Sequence, residues 1–360
     1  MKPTLRLSFI LTSMLLLAAT GSGQMMLLDD TWSDGDRTDN ALPDESAWFA
    51  SSVGNTPTLS AGPGLLTGDV RMFETNTSSR LWITHFTAAG MPVELADGET
   101  LKVSLAFRAL GVTTSNATSR GLRVGVFNFS EIGAARVTGD GFSTGSGGGA
   151  PGANVTGYLL NQNFGQRITV NNPIQLMKRT DTANVNLIGA SGVFTALSSG
   201  GGPPDAPGFR NGASYLLEFS VKRAGGSAEI ACRFSDNDGW SIQHTAVDPN
   251  GANFRFDGLA FRPNSVPDTA DTFQFSRCRV ETIPFQLRVL EFKYPTLIGA
   301  RVTWSSLPGK SYQVEWRPSF DEGQSWTVLT TIIAAGTIEF FEDPDALLST
   351  EGYYRVVQLP

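Results

Sequence analysis

Apolar and polar residues alternate with a period of two along much of the chain. In LKVSLAFR, the apolar residues that share one face are Leu101, Val103, Leu105 and Phe107. The segments GLRVGVF (121–127) and SYLLEFSVKR (214–223) alternate in the same way. Strands with one apolar and one polar face are typical of antiparallel sheets. We therefore predict an all-β protein whose sheets pack face to face.

Turn signals separate these strands. ADGE (96–99), DNDG (236–239) and DPNG (248–251) each place Gly beside Asp or Asn, which is the composition of tight turns. Two segments rich in Gly, Ser and Pro, at 139–154 and 198–208, are predicted to be exposed loops.

From Phe285 onward, the predicted strands follow one another at shorter intervals: strands of four to seven residues alternate with short turns. This spacing predicts a small β-sandwich of the immunoglobulin or fibronectin type III class over residues 285–360. Its predicted core consists of Val302, Trp304, Tyr312, Val314, Trp316, Trp326, Val328, Tyr354 and Val356. The three tryptophans could instead form a platform for a glycan, but core packing is the better interpretation because each ring must bury a large area.

The first 23 residues have the features of a secretory signal peptide. Lys2 and Arg6 precede the apolar run LSFILTSMLLLAA, which is too short to span a bilayer as a helix. Small residues at Gly21 and Gly23 predict cleavage after Gly23. The expected mature protein is secreted to the periplasm or the extracellular space, without a membrane span.

The net charge of the chain limits the classes of molecule that it is expected to bind. The chain has a formal net charge of -7, and loss of Lys2 and Arg6 makes it -9 (-7 minus 2). An acidic chain with scattered bases argues against nucleic acid as a partner.

Cys232 and Cys278 both fall on apolar strand faces, in EIACRF and FSRCRVE. An oxidising compartment favours a bridge between them, which would stabilise the fold by about 4 kcal/mol in the entropic model. Two buried free thiols are the equal alternative.

No catalytic residue is predicted. Glu94 and Glu99 are five residues apart, so a regular strand would place them on opposite faces rather than as a glycosidase pair. Ser143 lies in a G-x-S-x-G match within a Gly-rich loop, where no helix follows to present it. His85 and His244 lack the spacing of a zinc site. His85 shares a face with Ile83 in RLWITHF, which favours a packed, hydrogen-bonded role.

Calcium is one interpretation of the acidic segment SDGDRTDN, in which Asp34, Asp36 and Asp39 would be the ligands. Turn capping by the same side chains is the other, because Asp and Asn bond their own backbone. Trp82 and Trp240 are the candidate stacking platforms for sugar rings, although packing of Trp82 in a second sheet competes with that role.

Two resemblances cover nearly all of the mature chain. LLDDTWSDGDR, ADGETLKVSLAFR, YLLEFSVKR and FQFSRCRVE resemble, in this order, the strands of concanavalin A-like (laminin-G-like) jelly rolls. LPGKSYQVEWRPSFDEGQSWTVL and the closing YYRV resemble the C-terminal fibronectin type III-like modules of secreted bacterial proteins. The closing jelly-roll strand FSRCRVE lacks the usual Asp-Asn, which weakens any metal site that relies on that Asp.

The resemblance implies a jelly-roll domain at 24–284 and a fibronectin type III-like domain at 285–360. The family contains lectins, glycosidases, lyases and surface modules, so the fold alone does not assign a function. We predict a secreted non-catalytic protein that binds a polysaccharide or surface glycan, or mediates cell-surface or matrix interaction. A divergent glycoside hydrolase or polysaccharide lyase is the alternative.

Overall fold

The structure is a computed structural model. It describes residues 24–53, 56–70, 81–112, 121–130, 136–142, 151–188, 192–202, 205–263, 269–294, 296, 299–319, 324–348 and 352–359. The predicted signal peptide and Ser143 lie outside these ranges. The described residues contain strands and one short 3₁₀ helix but no α-helix. Among them, no helix is long and apolar enough to cross a bilayer. The predicted all-β class is confirmed.

The described residues before position 284 form nineteen strands. They are β1 Met25–Asp30, β2 Trp48–Ala50, β3 Ser52–Val53, β4 Thr56–Pro57, β5 Leu59–Gly62, β6 Leu65–Asp69, β7 Trp82–His85, β8 Val93–Glu94, β9 Thr100–Leu110, β10 Leu122–Asn128, β11 Thr156–Gln162, β12 Ile174–Arg179, β13 Phe194–Gly200, β14 Ser214–Ala224, β15 Ser227–Asp236, β16 Ser241–Asp248, β17 Arg255–Phe256, β18 Gly258–Pro263 and β19 Thr272–Ile283.

Most of these strands form two antiparallel sheets. An eight-stranded sheet has the order β16-β15-β14-β9-β19-β6-β5, with β1 also paired to β19. A seven-stranded sheet has the order β13-β12-β11-β10-β18-β7-β2. The strands β13 and β16 lie against each other at one side of the sandwich, where His244 Nε2 is 3.0 Å from Ser198 Oγ.

The inter-sheet core contains the residues that alternation predicted. Leu101, Val103, Leu105 and Phe107 from β9 pack with Leu122, Val124 and Val126 from β10 in one buried cluster. Trp82 belongs to the same cluster, and Gly68 is required beneath it, because a Cβ atom at Gly68 would lie 2.2 Å from the Trp82 ring. The two sheets therefore make contact through closely fitted aromatic and aliphatic side chains.

Six further strands form a second unit. They are β20 Val289–Lys293, β21 Ala300–Ser305, β22 Ser311–Arg317, β23 Thr327–Ile333, β24 Ile338–Asp343 and β25 Tyr353–Gln358, with the 3₁₀ helix at Pro344–Leu348 before the last. They pair as two three-stranded sheets, β20-β21-β24 and β23-β22-β25. The buried residues between them are Val302, Trp304, Tyr312, Val314, Ala334 and Val356.

Three residues of the predicted C-terminal core, Trp316, Trp326 and Val328, lie outside its buried cluster, and Trp316 is half-buried. Trp326 is half-buried, and its ring lies 4.6 Å from the Arg317 guanidinium and 4.4 Å from that of Arg355. Val328 is 48% exposed. The pairing of β22 with β23 shifts between Val314 and Glu315, and such an irregularity breaks simple alternation.

Of the two alternatives for Cys232 and Cys278, the structure has the buried free thiols, without a bridge between them. Cys232 lies on β15 and Cys278 on β19, and β14 and β9 separate these strands. Three strand spacings place the two backbones roughly 14 Å apart, whereas a disulfide needs Cα atoms within about 7 Å.

Candidate functional site

The outer face of the seven-stranded sheet is the surface turned away from the eight-stranded sheet. Leu122, Val124 and Val126 face the inter-sheet core, so the intervening residues of β10 face outward. Those outward residues are Arg123, Gly125 and Phe127. This face divides into a covered half and a half with polar side chains.

A polar row runs across five adjacent strands of this face. Arg123 on β10 lies opposite Arg262 on β18 and Asn161 on β11. Asn161 in turn lies opposite Gln175 on β12, and Gln175 opposite Ser199 on β13. Four strand spacings give the row a length of roughly 19 Å. We refer to these five residues as the polar row.

The polar row offers neutral amide and hydroxyl groups beside two guanidinium groups. Asn161 Nδ2 donates a 2.9 Å hydrogen bond to Gln175 Oε1. Asn161 is only 2% exposed, and its Oδ1 has no hydrogen-bond partner in the described structure. Ser199 is exposed and Gln175 is half-buried, so the row opens toward the edge strand β13. Both arginines also have other interactions.

An unpartnered buried acceptor costs free energy, and a hydroxyl donor would remove that cost. Sugars present many hydroxyl groups, each of which both donates and accepts. The polar row therefore has the chemistry needed to bind a carbohydrate.

The other half of the face is covered by irregular segments. Val137, Val155, Leu187 and Ile188 pack there against Ile83, Phe127, Leu159 and Ala260 of the sheet, in a second buried cluster. The seven-stranded sheet is consequently apolar on both faces in this half.

A buried arginine holds the irregular segments that cover this half of the sheet. Arg179, at the end of β12, is 2% exposed and donates to five backbone carbonyls. The acceptors and distances are Gly152 2.7 Å, Val155 2.9 Å, Asn184 2.6 Å, Asn186 2.9 Å and Leu187 2.8 Å. Burial lowers the pKa of Arg179 to about 10, and Asp181 partly offsets the effect. The guanidinium group therefore stays charged at neutral pH.

His85 is buried beneath the same cover. Its ring meets Phe129 edge-on at 5.1 Å, and the side chain is 6% exposed. Among the described residues, neither ring nitrogen has a hydrogen-bond partner of good geometry, so the structure agrees with the packed role of His85 but not with the hydrogen bond. Burial, and then the Arg136 charge, lower the pKa of His85 to about 3, and the Val137 backbone only weakly opposes this.

A buried carboxylate lies near His85. Asp257 Oδ1 accepts a 2.7 Å hydrogen bond from Phe129 N, and its Oδ2 accepts one of 2.6 Å from Ser130 Oγ. Arg136 Nη1 is 3.7 Å from Asp257 Oδ2. Burial raises the pKa of Asp257 despite these contacts.

Trp82 is not a stacking platform. It is 0% exposed, its Nε1 donates to Thr58 Oγ1 at 2.9 Å, and its ring meets Phe275 edge-on. Of the two roles that the sequence left open for Trp82, the structure agrees with core packing, because Trp82 faces the inter-sheet core and Ile83 lies under the covering segments. Both faces of β7 are buried, so the alternation of side chains along this strand does not distinguish a core face from a solvent face.

Trp240 keeps part of its surface accessible. It is half-buried, and Nε1 donates a 2.9 Å hydrogen bond to the Pro207 carbonyl. Its ring contacts those of Phe164, Phe209 and Tyr215 at centroid distances of 6.3, 5.9 and 5.5 Å. Phe164 follows Asn161 by three residues, so Trp240 lies at the same end of the sandwich as the polar row.

The acidic segment forms a different cluster from the predicted one. Carboxylate oxygens of Asp34, Asp39 and Glu45 lie within 4.8 Å of one another. Asp36 instead caps its own turn, where Oδ1 accepts from Thr38 N at 2.7 Å and Thr38 Oγ1 at 2.8 Å. Desolvation, and then the charges of Asp34 and Asp39, raise the pKa of Glu45. Ca²⁺ takes six to eight oxygens, so these three side chains fit part of a calcium shell.

The other candidate residues are separated. The Glu99 carboxylate accepts a 2.9 Å hydrogen bond from Ala96 N within the ADGE turn, whereas Glu94 is exposed and 3.9 Å from Arg255 Nε. Gly98 in this turn has φ +78°, and a Cβ atom there would lie 2.5 Å from Leu307. His244 contacts Ser198, which the sequence did not single out.

Comparison with known proteins finds only a limited similarity to solved β-sandwich structures. No protein-family model matches the sequence, and a search of curated proteins finds no match. Among solved structures, lectin II from Ulex europaeus is 12% identical, with 73% of this chain and 100% of that chain covered and a TM-score of 0.37. The Ca²⁺-bound exoplasmic/lumenal domain of VIP36 is 10% identical, with 74% and 92% covered and a TM-score of 0.38.

Peanut lectin with a 9mer peptide is 11% identical, with 68% of this chain and 100% of that chain covered and a TM-score of 0.33. These likenesses concern the β-sandwich alone, which the strand pairing of this chain establishes independently. The polar row was found from the structure, since its members come from five separate strands.

Replacing Arg179 should destabilise the protein. Arg179→Met leaves five carbonyls without their donor, and we expect a loss of about 3–5 kcal/mol in the free energy of unfolding. Urea denaturation of the full chain measures it. Arg233→Met, at an exposed site on β15, is the matched control and should change stability by less than about 0.5 kcal/mol. Equal effects of the two variants would contradict the role of Arg179.

His85 should make the protein sensitive to acid. The folded pKa of about 3 lies below the ordinary 6.5, so the unfolded chain binds the proton first and stability falls as pH drops below 6.5. Between pH 7 and 5, we expect the wild type to lose about 2 kcal/mol more than His85→Gln. Urea denaturation at both pH values measures this. Asp257 and Arg136 are present in both proteins, and a parallel pH dependence would contradict the prediction.

Proposed function

We propose that this protein is a secreted, non-catalytic carbohydrate-binding protein whose ligand lies along the polar row. Its partner would be a polysaccharide or surface glycan, and binding would mediate cell-surface or matrix interaction. The 1–23 segment would be the signal peptide, 24–284 the concanavalin A-like jelly roll, and 285–360 a fibronectin type III-like module. This organisation follows the resemblance to secreted bacterial proteins.

The buried Oδ1 of Asn161 is the observation that carries the proposal. The acceptor has no partner, whereas the neighbouring Nδ2 is already used by Gln175. Gln175 and Ser199, which reach solvent, would bond the sugar first, and a sugar hydroxyl would donate to the buried Oδ1 once the Gln175 side chain moved aside. The exposed end at Ser199 gives a route of entry from the edge strand.

The length of the polar row supports an oligosaccharide rather than a single sugar. Its span of roughly 19 Å across five strands would accommodate several residues of a chain lying across the sheet. Trp240, at the same end of the sandwich, would stack against a sugar ring beyond the row. Arg123 and Arg262 would bond ring or hydroxyl oxygens at the other end.

No observation favours the enzymatic alternative. A glycosidase needs two carboxylates that flank the scissile bond. The strand positions described on the outer face of the seven-stranded sheet hold neither Asp nor Glu. A lyase with a Tyr or His beside Arg also lacks support there, because Tyr158 faces the inter-sheet core and His85 is buried under the cover.

Substitution in the polar row should weaken glycan binding without unfolding the protein. Asn161→Leu and Gln175→Leu keep side-chain size but remove the polar atoms, and we expect at least a tenfold loss of affinity for a glycan identified on an array. Gln243→Leu, at an exposed site on β16, is the matched control and should bind as the wild type does. Thermal denaturation verifies that each variant is folded. Failure of the wild type to bind any arrayed glycan would contradict the proposed function.

Calcium binding is a separate proposal for Asp34, Asp39 and Glu45. If the cluster holds Ca²⁺, Asp34→Asn combined with Glu45→Gln should remove it, because two of three carboxylates lose their charge. Asp36→Asn is the matched control, since Asp36 caps its own turn. Calorimetric titration with Ca²⁺ measures the change. Absent heat in the wild type, or an equal loss with Asp36→Asn, would favour turn capping instead.

A further inference from the structure

A groove lies on the outer face of the eight-stranded sheet, on the opposite side of the sandwich from the polar row. Its volume is about 320 Å³. The side chains that line it are Leu65, Ala106, Arg108, Ser214, Gln274 and Ser276. This set combines one cation, an amide, two hydroxyls and an aliphatic wall.

A β-bulge places Ser276 in the groove. The pairing of β19 with β9 shifts between Phe275 and Arg277, so Ser276 is the extra residue. A bulge bends the strand and redirects a side chain, and Ser276 is exposed there. The hydroxyl of Ser276 lies 3.5 Å from the Ala106 carbonyl on the groove floor. The bulge is thus part of how the groove is formed.

Arg108 differs from its charged neighbours on this face. Lys102, Arg277 and Arg279 each contact a carboxylate, namely Glu218, Asp29 and Glu281. Within the described structure, the exposed Arg108 side chain donates a hydrogen bond of 3.2 Å from Nε to Ser214 Oγ and contacts no carboxylate. The two terminal nitrogens remain available to a ligand. A guanidinium group binds a planar carboxylate through two parallel hydrogen bonds.

We propose that this groove binds a sugar residue that carries a carboxylate, such as a uronic acid. Arg108 would bind the carboxylate, and Ser214, Gln274 and Ser276 would bond the ring hydroxyls. Leu65 and Ala106 would contact the apolar face of the ring. A volume of about 320 Å³ is at the lower end of ligand pockets, so the groove takes one sugar residue. This site is additional to the polar row and does not depend on it.

Calorimetric titration of the full chain with methyl glucuronide and methyl galacturonide tests the proposal. We expect saturable binding that the neutral methyl glucoside does not reproduce, and at least a tenfold weakening in Arg108→Gln. Arg233→Gln is the matched control, because Arg233 is exposed on the same face but does not line the groove. A second variant, Ser276→Val, should also weaken binding. Thermal denaturation verifies folding.

The outcomes separate the two proposals. Asn161→Leu should leave uronide binding unchanged, so failure of the polar row does not affect this test. No uronide binding by the wild type, or equal weakening by Arg108→Gln and Arg233→Gln, would overturn the groove proposal. Equal binding of an acidic peptide would overturn the assignment to a sugar.

Discussion

The position of the candidate site depends on the buried guanidinium group of Arg179. Its hydrogen bonds to five carbonyls hold two irregular segments against the seven-stranded sheet. The cover keeps the apolar residues Phe127 and Leu159 away from water. The polar row lies in the other half of the same face, where side chains such as Gln175 and Ser199 reach solvent. Arg179 thereby contributes to the division of this face into a covered half and a half that reaches solvent.

The strand cores could be predicted from the sequence because alternation is a local property. Leu101, Val103, Leu105 and Phe107 are buried as expected. The polar row could not be predicted, since register joins residues that are distant in the chain. Asn161 and Gln175 come from neighbouring strands, but Arg262 lies about a hundred residues later. Without strand order, Arg123 and Asn161 are separate polar positions.

The alternatives that the sequence left open depend on contacts between segments. Trp82 lies in a strand that is buried on both faces, so its neighbours gave no contrast between core and solvent. Asp36 accepts a hydrogen bond within its own turn. Glu45 lies close to Asp34 because the chain folds back between them, which the spacing of the acidic residues in the sequence does not indicate. Cys232 and Cys278 share an apolar face, but the strand order separates them. In each case, the outcome depends on how separate segments are arranged in the fold.

The two thiols have a consequence for the environments that the protein tolerates. Burial raises the pKa of Cys232 to about 12 and that of Cys278 well above its ordinary value, so almost no thiolate exists at neutral pH. Thiolate is the reactive form in oxidation and disulfide exchange. The folded sandwich is therefore stable without a disulfide between Cys232 and Cys278, so a reducing environment removes no covalent bond between these two residues.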